Sequence, residues 1–420
     1  MNSNKPLARI ALTHLVAKKR QTIVATLGVM FGIAIFIFQA GLITGFQTTF
    51  IDKTINTTAN IRIHNEADKN RKSIAGKLHD PRKDWVVVRN QKPREDDLKI
   101  RNGNEIVKII ERHPDVAGVS PFLASQVIFK MGIAQQAGFV SGVLIEKEDL
   151  LFGLSANMKE GNTTRLLTIP NGIILGAGLA EKLGAKMEDL LSIISPMGVT
   201  LEMKVVGINE SGLTEVDKTR AFVNLRNAQK LLQVDGSYIT DINIKLKNID
   251  RAGELASEFE KRFGYKADDW KTANANIFGV FKLQNMVTSL VIASIMIVSG
   301  FGIFNILMMI IYEKMPDIAI LKAVGFRNGD IKKIFLMESL IIGLFGGILG
   351  MGFGFIITHI VGSIPMNIKG FVSMKYLYFN QSPAFYVTAF LFALLVTGIA
   401  GYLPARKAAK IDPMDIIRSK

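Results

Sequence analysis

From Glu313 the chain reads Glu-Lys-Met-Pro-Asp-Ile-Ala-Ile-Leu-Lys-Ala-Val-Gly, closing at Gly325. Ile318 and Leu321 stand three apart and share one face of a short helix, while Glu313, Asp317 and Lys322 can ring that face with charge. An apolar centre with a polar rim is the chemistry of a protein–protein contact, not of bond making. Gly325 is placed to stop the helix in a left-handed cap. A loop packed only on its own chain is the alternative reading.

No catalytic constellation competes with this stretch. Gly176-Ala-Gly178 lies between an apolar run and a helix-forming segment, but the third glycine of a dinucleotide fingerprint is missing. No Gly-x-x-x-x-Gly-Lys-Ser/Thr phosphate loop occurs in the sequence. The five histidines, His14, His64, His79, His113 and His359, are scattered without metal-ligand spacing, so packed or solvated roles are expected and no metal site. Any work the chain performs must draw its energy from a partner.

The elements that must position this stretch are membrane spans. The chain has 420 residues, 49% of them hydrophobic. Four windows carry no Asp, Glu, Lys or Arg: Gln21–Ile51, Leu283–Tyr312, Ser339–Ile368 and Tyr376–Ala405. Each is ~30 residues long against the roughly 20 needed to cross a bilayer, and core helices of soluble proteins rarely stay uncharged on every face for so long. The first window follows Lys18, Lys19 and Arg20 but is too long for a cleaved leader, so it reads as a retained anchor.

The expected fold class is therefore an α-helical membrane protein with four transmembrane helices and a large extracytoplasmic α+β domain between helices 1 and 2. Its segments are an interfacial helix at 1–20, span 1 at 21–51, the domain at 52–282, span 2 at 283–312, an elbow at 313–330, span 3 at 331–362, a short loop at 363–380, span 4 at 381–405 and a tail at 406–420. Basic residues orient the spans. The N-terminal segment (Lys5, Arg9, Lys18, Lys19, Arg20), the middle loop between spans 2 and 3 (Lys314, Lys322, Arg327, with Lys332 and Lys333 at the start of span 3) and the tail (Arg406, Lys407, Lys410, Arg418, Lys420) are all expected in the cytoplasm.

Segment 52–282 holds 34 basic and 30 acidic residues, +4 of the chain's +15, so most of the excess positive charge hugs the membrane. That argues against nucleic acid as a partner, because no basic face interleaved with aromatics is present. With no cysteine in the sequence, no disulfide framework is available. The domain must hold itself by its own core, and ~230 residues suffice.

Within the first 20 residues, Leu7, Ile10, Ala11 and Leu15 share a face, which predicts a helix on the inner leaflet or an ordinary juxtamembrane tail. Gly28 with Gly32, and Gly41 with Gly45, have the spacing that lets helices approach closely, between subunits or within one. The domain opens with a strand at Ile61–Ile63, then a stretch at 64–101 dense in both charges, with only Trp85–Val88 strand-like, which reads as a solvated flap. Helices are predicted at 105–112, 179–183, 226–232 and 251–263. Strands are predicted at 116–119, 125–129, 138–143, 173–175, 190–194, 201–206, 221–224, 242–246 and 265–270. That order implies two subdomains, a strand-rich middle piece inserted into a split α/β piece.

Two long motifs then carry a resemblance. Residues 313–325, with Asp330-Ile-Lys-Lys-Ile-Phe-Leu-Met-Glu338 and the glycine-rich third span, resemble the permease domain of the MacB/FtsX/LolC superfamily of ABC transporters. The ending Leu403-Pro-Ala-Arg-Lys-Ala-Ala-Lys-Ile-Asp-Pro-Met-Asp-Ile-Ile-Arg418 resembles that superfamily's closing signature. Val205-Val-Gly-Ile-Asn-Glu-Ser-Gly212, Asp217, Ala221-Phe-Val-Asn-Leu225, Ala228-Gln229, Asp269-Trp270 and Phe281-Lys-Leu-Gln284 are similar to the lipoprotein-releasing LolC/LolE permeases. The chain departs from them at Val199–Met203, where those permeases usually carry a longer hook-like loop that hands lipoprotein to a chaperone, and at 64–101.

The resemblance implies a subunit of a bacterial inner-membrane transporter with a periplasmic domain. It pairs with a second permease subunit, identical or not, and with two copies of a separate ATPase that binds ATP and Mg. Glu313, Asp317, Ile318, Leu321, Lys322 and Gly325 are then the ATPase-coupling residues, and Ile43, Phe46, Phe50 and Met286 the residues expected to meet substrate. Extraction of lipoprotein from the outer leaflet, with a periplasmic chaperone as a further partner, is the leading expectation. MacB-like efflux and FtsX-like signalling without transport are the alternatives.

Overall fold

The computed structural model describes residues 4–66, 98–369 and 373–411. His79, Trp85–Val88 and most of the charged 64–101 stretch lie outside the described residues, as do Arg418 and Lys420. In chain order the main helices are α1 (Asn4–Ala17), α2 (Lys19–Thr57), α3 (Gly103–Glu111), α4 (Ile145–Phe152), α5 (Ala177–Leu183), α6 (Thr214–Thr219), α7 (Leu225–Leu231), α8 (Ala252–Phe263), α9 (Ala275–Glu313), α10 (Met315–Ala323), α11 (Asn328–Gly362) and α12 (Pro383–Ala409). The chain divides into two units, one of Met1–Thr49, Gly279–Asn367 and Lys375–Lys420, the other of Phe50–Phe278 and Ile368–Met374.

The first unit is a helical bundle. α2, α9, α11 and α12, of 39, 39, 35 and 27 residues, are each long and apolar enough to cross a membrane and overlap the four uncharged windows. Their packing follows from small residues. Gly346, Gly350 and Gly354 repeat every four residues and line one face of α11. A Cβ there would stand 2.7 Å from the Cβ of Val29, 2.8 Å from that of Ile33 and 3.1 Å from that of Ile37, all on α2. Close backbone approach of this kind takes the place of the hydrophobic drive that helices in lipid lack.

On α2 itself, Gly32 lies 3.0 Å from the Ser299 hydroxyl by the same measure, and Gly41 accepts a hydrogen bond from the Asn380 amide at 2.9 Å. Gly45 lies against the backbone of Tyr378, whereas Gly28 faces open space. α1 forms, but its apolar face is not left for the membrane surface: Leu7, Ala11 and Leu15 are buried in the bundle core, and Leu12 and Val16 are the exposed ones.

The second unit is built on one sheet of β1 (Ile61–His64), β2 (Val116–Met131), β3 (Ala134–Val143), β4 (Met158–Gly161), β5 (Gly172–Gly176), β6 (Leu190–Ile194), β7 (Thr200–Asn209), β8 (Arg220–Asn224), β9 (Asp241–Leu246) and β10 (Lys266–Asp269). The strand order is β10-β1-β9-β2-β3-β8-β5-β7-β4, with β6 pairing β2 and β7. Early and late segments therefore meet at one end and middle segments at the other. The single strand β2 belongs to both: Val116–Phe122 pairs with β9 and Phe122–Met131 with β3. The two short strands predicted at 116–119 and 125–129 are one, so the sheet path runs unbroken through β2.

A core of Ile61, Ile63, Leu123, Val127, Phe129, Val205, Ile242, Leu255 and Phe259 holds the sheet against α3, α5, α7 and α8. Gly184 ends α5 in the left-handed conformation, φ 68°. Val199–Met203 is not a loop: β6 and β7 form a tight hairpin whose turn is Ser195–Val199, with Ile194 opposite Thr200. β11 (Pro365–Lys369) and β12 (Ser373–Tyr376) make a two-stranded pair between α11 and α12.

Candidate coupling surface and substrate-facing residues

α10 opens with Pro316 in its first turn, where the missing amide hydrogen costs nothing. The charges around it act inside the chain. Lys314 pairs with Asp317 at 2.6 Å, Glu313 pairs with Lys18 and accepts from Gln21 at 3.2 Å, and Lys322 Nζ donates to the Ala409 and Ile411 carbonyls at 2.8 and 2.6 Å. Lys322 thereby caps the end of α12.

The apolar face differs from expectation. Ile318 is fully buried and Leu321 half-buried against the bundle core, whereas Ile320 is 62% and Val324 75% exposed. Spacing alone puts 318 and 321 on one side, but it cannot say which of two apolar sides turns inward. Ile320 and Val324, four apart on the same face, are the outward pair. Gly325 follows at φ 105°, with no atom within 4 Å of where a Cβ would sit. Arg327 N then donates to Asp330 Oδ2 at 3.1 Å and starts α11.

One buried pair has no counterpart in the sequence reading. His14 Nδ1 and Glu338 Oε1 are 2.7 Å apart, with Glu338 fully buried and its Oε2 without a partner among the described residues. Glu338 precedes the third uncharged window and so looks like a flank. The helix begins at Asn328, however, which sets Glu338 about 15 Å along it. The pair ties α1 to α11.

Of the four expected substrate residues, Ile43, Phe46 and Phe50 lie on α2 and Met286 on α9. Phe46 and Phe281 meet edge to face at 6.2 Å, one turn from the Gln47–Asn285 hydrogen bond of 3.0 Å. Ile43 is half-buried and Met286 exposed on its helix surface. Phe50, one turn beyond Phe46 on α2, is only 4% exposed.

In the second unit a cavity of about 30 Å³, too small for a substrate, has Glu148, Asp217 and Arg220 in its lining beside apolar residues such as Phe152 and Phe222. Asp217 accepts from Ser211 N, Ser211 Oγ and Gly212 N at 2.9, 2.7 and 3.1 Å, which fixes the turn into α6. Burial nevertheless holds its carboxyl above the usual range. Glu148 accepts from Ser120 Oγ at 2.9 Å, and burial pushes its carboxyl up to about 7 against the counter-effects of Ser120 and Arg220. α4, which carries Glu148, is not foreseen in the sequence because its polar pattern hides a buried acid.

Four apolar spans, a large α/β domain inserted after the first, and a short helix between the second and third define a polytopic membrane protein. Residues 22–262 match the MacB-like periplasmic core domain and residues 289–413 the FtsX-like permease C-terminal domain. The chain belongs to this family of ABC transporter permeases, inner-membrane proteins with a periplasmic domain. It is 25% identical over 439 residues to the lipoprotein-releasing system transmembrane protein LolC of Xylella fastidiosa, covering 97% of this chain and 98% of that one. The corresponding LolE of Haemophilus influenzae is 22% identical over 351 residues, with 76% and 82% covered. The macrolide export ATP-binding/permease protein MacB of Psychrobacter cryohalolentis is 25% identical over 426 residues, 97% of this chain but 59% of that protein.

Proposed function

We propose that this permease releases lipoproteins from the outer leaflet of the inner membrane, driven by a separate ATPase. The observation that carries this reading is the end-to-end match to LolC, whereas the MacB match leaves two fifths of that protein uncovered. ATP and Mg are bound by two copies of the ATPase. A second permease subunit, identical or different, completes the complex. The N-terminal helix, α10 and the tail face the cytoplasm, as their Lys and Arg residues favour. α10 then docks on the ATPase through Ile320 and Val324, with Gly325 letting the chain turn into α11.

MacB-like efflux is the second reading, favoured by the tight turn at Ser195–Val199 where a chaperone-binding hook is short. Proteoliposomes holding the complex and a triacylated lipoprotein discriminate the two. ATP-dependent transfer of lipoprotein to the soluble fraction is expected, and lipoprotein left in the membrane while ATP is consumed would overturn the assignment.

A further inference from the structure

A groove of about 530 Å³ runs between α9 and α12, lined from Ala293 to Phe304 on one helix and from Phe392 to Leu403 on the other. Its lining side chains are all apolar, among them Met296, Phe301 and Phe392. Eleven residues of helix rise give it a length of ~16 Å, half the ~30 Å hydrocarbon core and so the depth of one leaflet. Gly300 keeps it open, since a Cβ there would stand 3.3 Å from Val396.

What lies past the groove's end decides its occupant. One turn beyond Leu403, Lys407 Nζ donates to the Tyr312 hydroxyl at 2.6 Å and lies 4.9 Å from that ring's centroid. Lys332 Nζ sits 4.0 Å over the ring of Tyr402. Arg406 is exposed beside them. Among the described residues no carboxylate pairs with Lys332, Arg406 or Lys407. Tyrosines at this level mark the membrane–water boundary, and basic residues between spans suit an anionic head group.

We propose that the α9–α12 groove binds an anionic phospholipid of the surrounding bilayer, one acyl chain in the groove and the phosphate at Lys332, Arg406 and Lys407. The inference needs neither the ATPase nor a lipoprotein, and so stands apart from the transport reading. A second copy of the chain would fill the apolar groove but would leave the three cations unanswered.

The full-length protein, reconstituted in vesicles of equal parts phosphatidylcholine and phosphatidylglycerol and released into mild detergent, tests this by native mass spectrometry. Phosphatidylglycerol should be retained over phosphatidylcholine by at least about tenfold. The combined Lys332→Gln, Arg406→Gln and Lys407→Gln variant should lose that preference yet keep bound lipid. Ala293→Phe, at an exposed lining position, should lose both lipids while eluting and melting like the parent. Equal retention of the two lipids by the parent, or unchanged phosphatidylglycerol in Ala293→Phe, overturns the proposal. So does a disulfide-linked dimer of Phe301→Cys in this cysteine-free chain, which would assign the groove to a second copy.

Discussion

The bundle and the domain solve the same problem of close packing by opposite means. In the bundle, glycines at 346, 350 and 354 bring backbones together, and large apolar side chains such as Phe301, Ile348 and Leu391 stay on the surface. In the domain, strands alternate their faces and the large residues, Phe129 and Phe259 among them, go inside. Buried acids differ too: Glu148 in the domain has its hydroxyl donor, whereas one oxygen of Glu338 in the bundle has none. Solvent explains the difference. Water rewards hiding apolar area, while lipid rewards only contact and polar satisfaction.

The largest effect should come from filling the bundle's close approach. Gly350→Leu would drive a side chain into Ile33 and the Met30 carbonyl, both 2.8 Å from the first added carbon. A loss above ~3 kcal/mol is expected, the upper end of ordinary overpacking, read as failure to purify a monodisperse protein. Gly236→Ala in the domain, with no atom within 4 Å, should be silent. If both behave alike, the contrast between the two regions collapses.

Next comes the domain's buried acid. With its carboxyl raised from 4.5 to about 7, the folded state holds the proton that the unfolded chain gives up. The stability Glu148 contributes is complete below pH 4.5 and is lost as pH climbs through 7, about 3 kcal/mol in all. Asp217, also raised, adds to the same trend. Thermal melts of Glu148→Gln against the parent at pH 5 and pH 8 isolate the difference, and parallel pH profiles would remove Glu148 from the account.

A smaller effect separates the two faces of α10. Ile320→Asp or Val324→Asp should weaken ATPase capture in pull-downs by about tenfold, ~1.4 kcal/mol, with the bundle's melting unchanged. Ile318→Asp should instead damage the bundle itself, because that side chain has no exposure. Equal capture by parent and both outward variants would move docking off this helix. Smallest of all, Gly325→Val strains a left-handed turn by about 1 kcal/mol in open space. It should keep the ATPase while lowering lipoprotein release, and undiminished release would free the turn of any coupling duty.

The same contrast sets what was legible beforehand. Uncharged runs announce spans because lipid tolerates few charges, so all four helices were foreseeable. Most strands were too, from their alternation. Orientation of a short apolar helix was not: nothing in the order Ile318, Ile320, Leu321, Val324 says which side the bundle will claim. Glu338 was hidden because its partner, His14, lies 324 residues away. The four residues expected at substrate, Ile43, Phe46, Phe50 and Met286, lie on α2 and α9.

β2 is also a mechanical element. Sixteen residues of strand make a beam about 50 Å long, and its ladders to β9, β3 and β6 brace it along its length. Its register against β9 shifts once, between Val116 and Gly118, at the very start. Bending it farther along would break ladder bonds on neighbouring strands together, so a push at one end arrives at the other as rotation of a stiff body. Compliance is left to the beam's root.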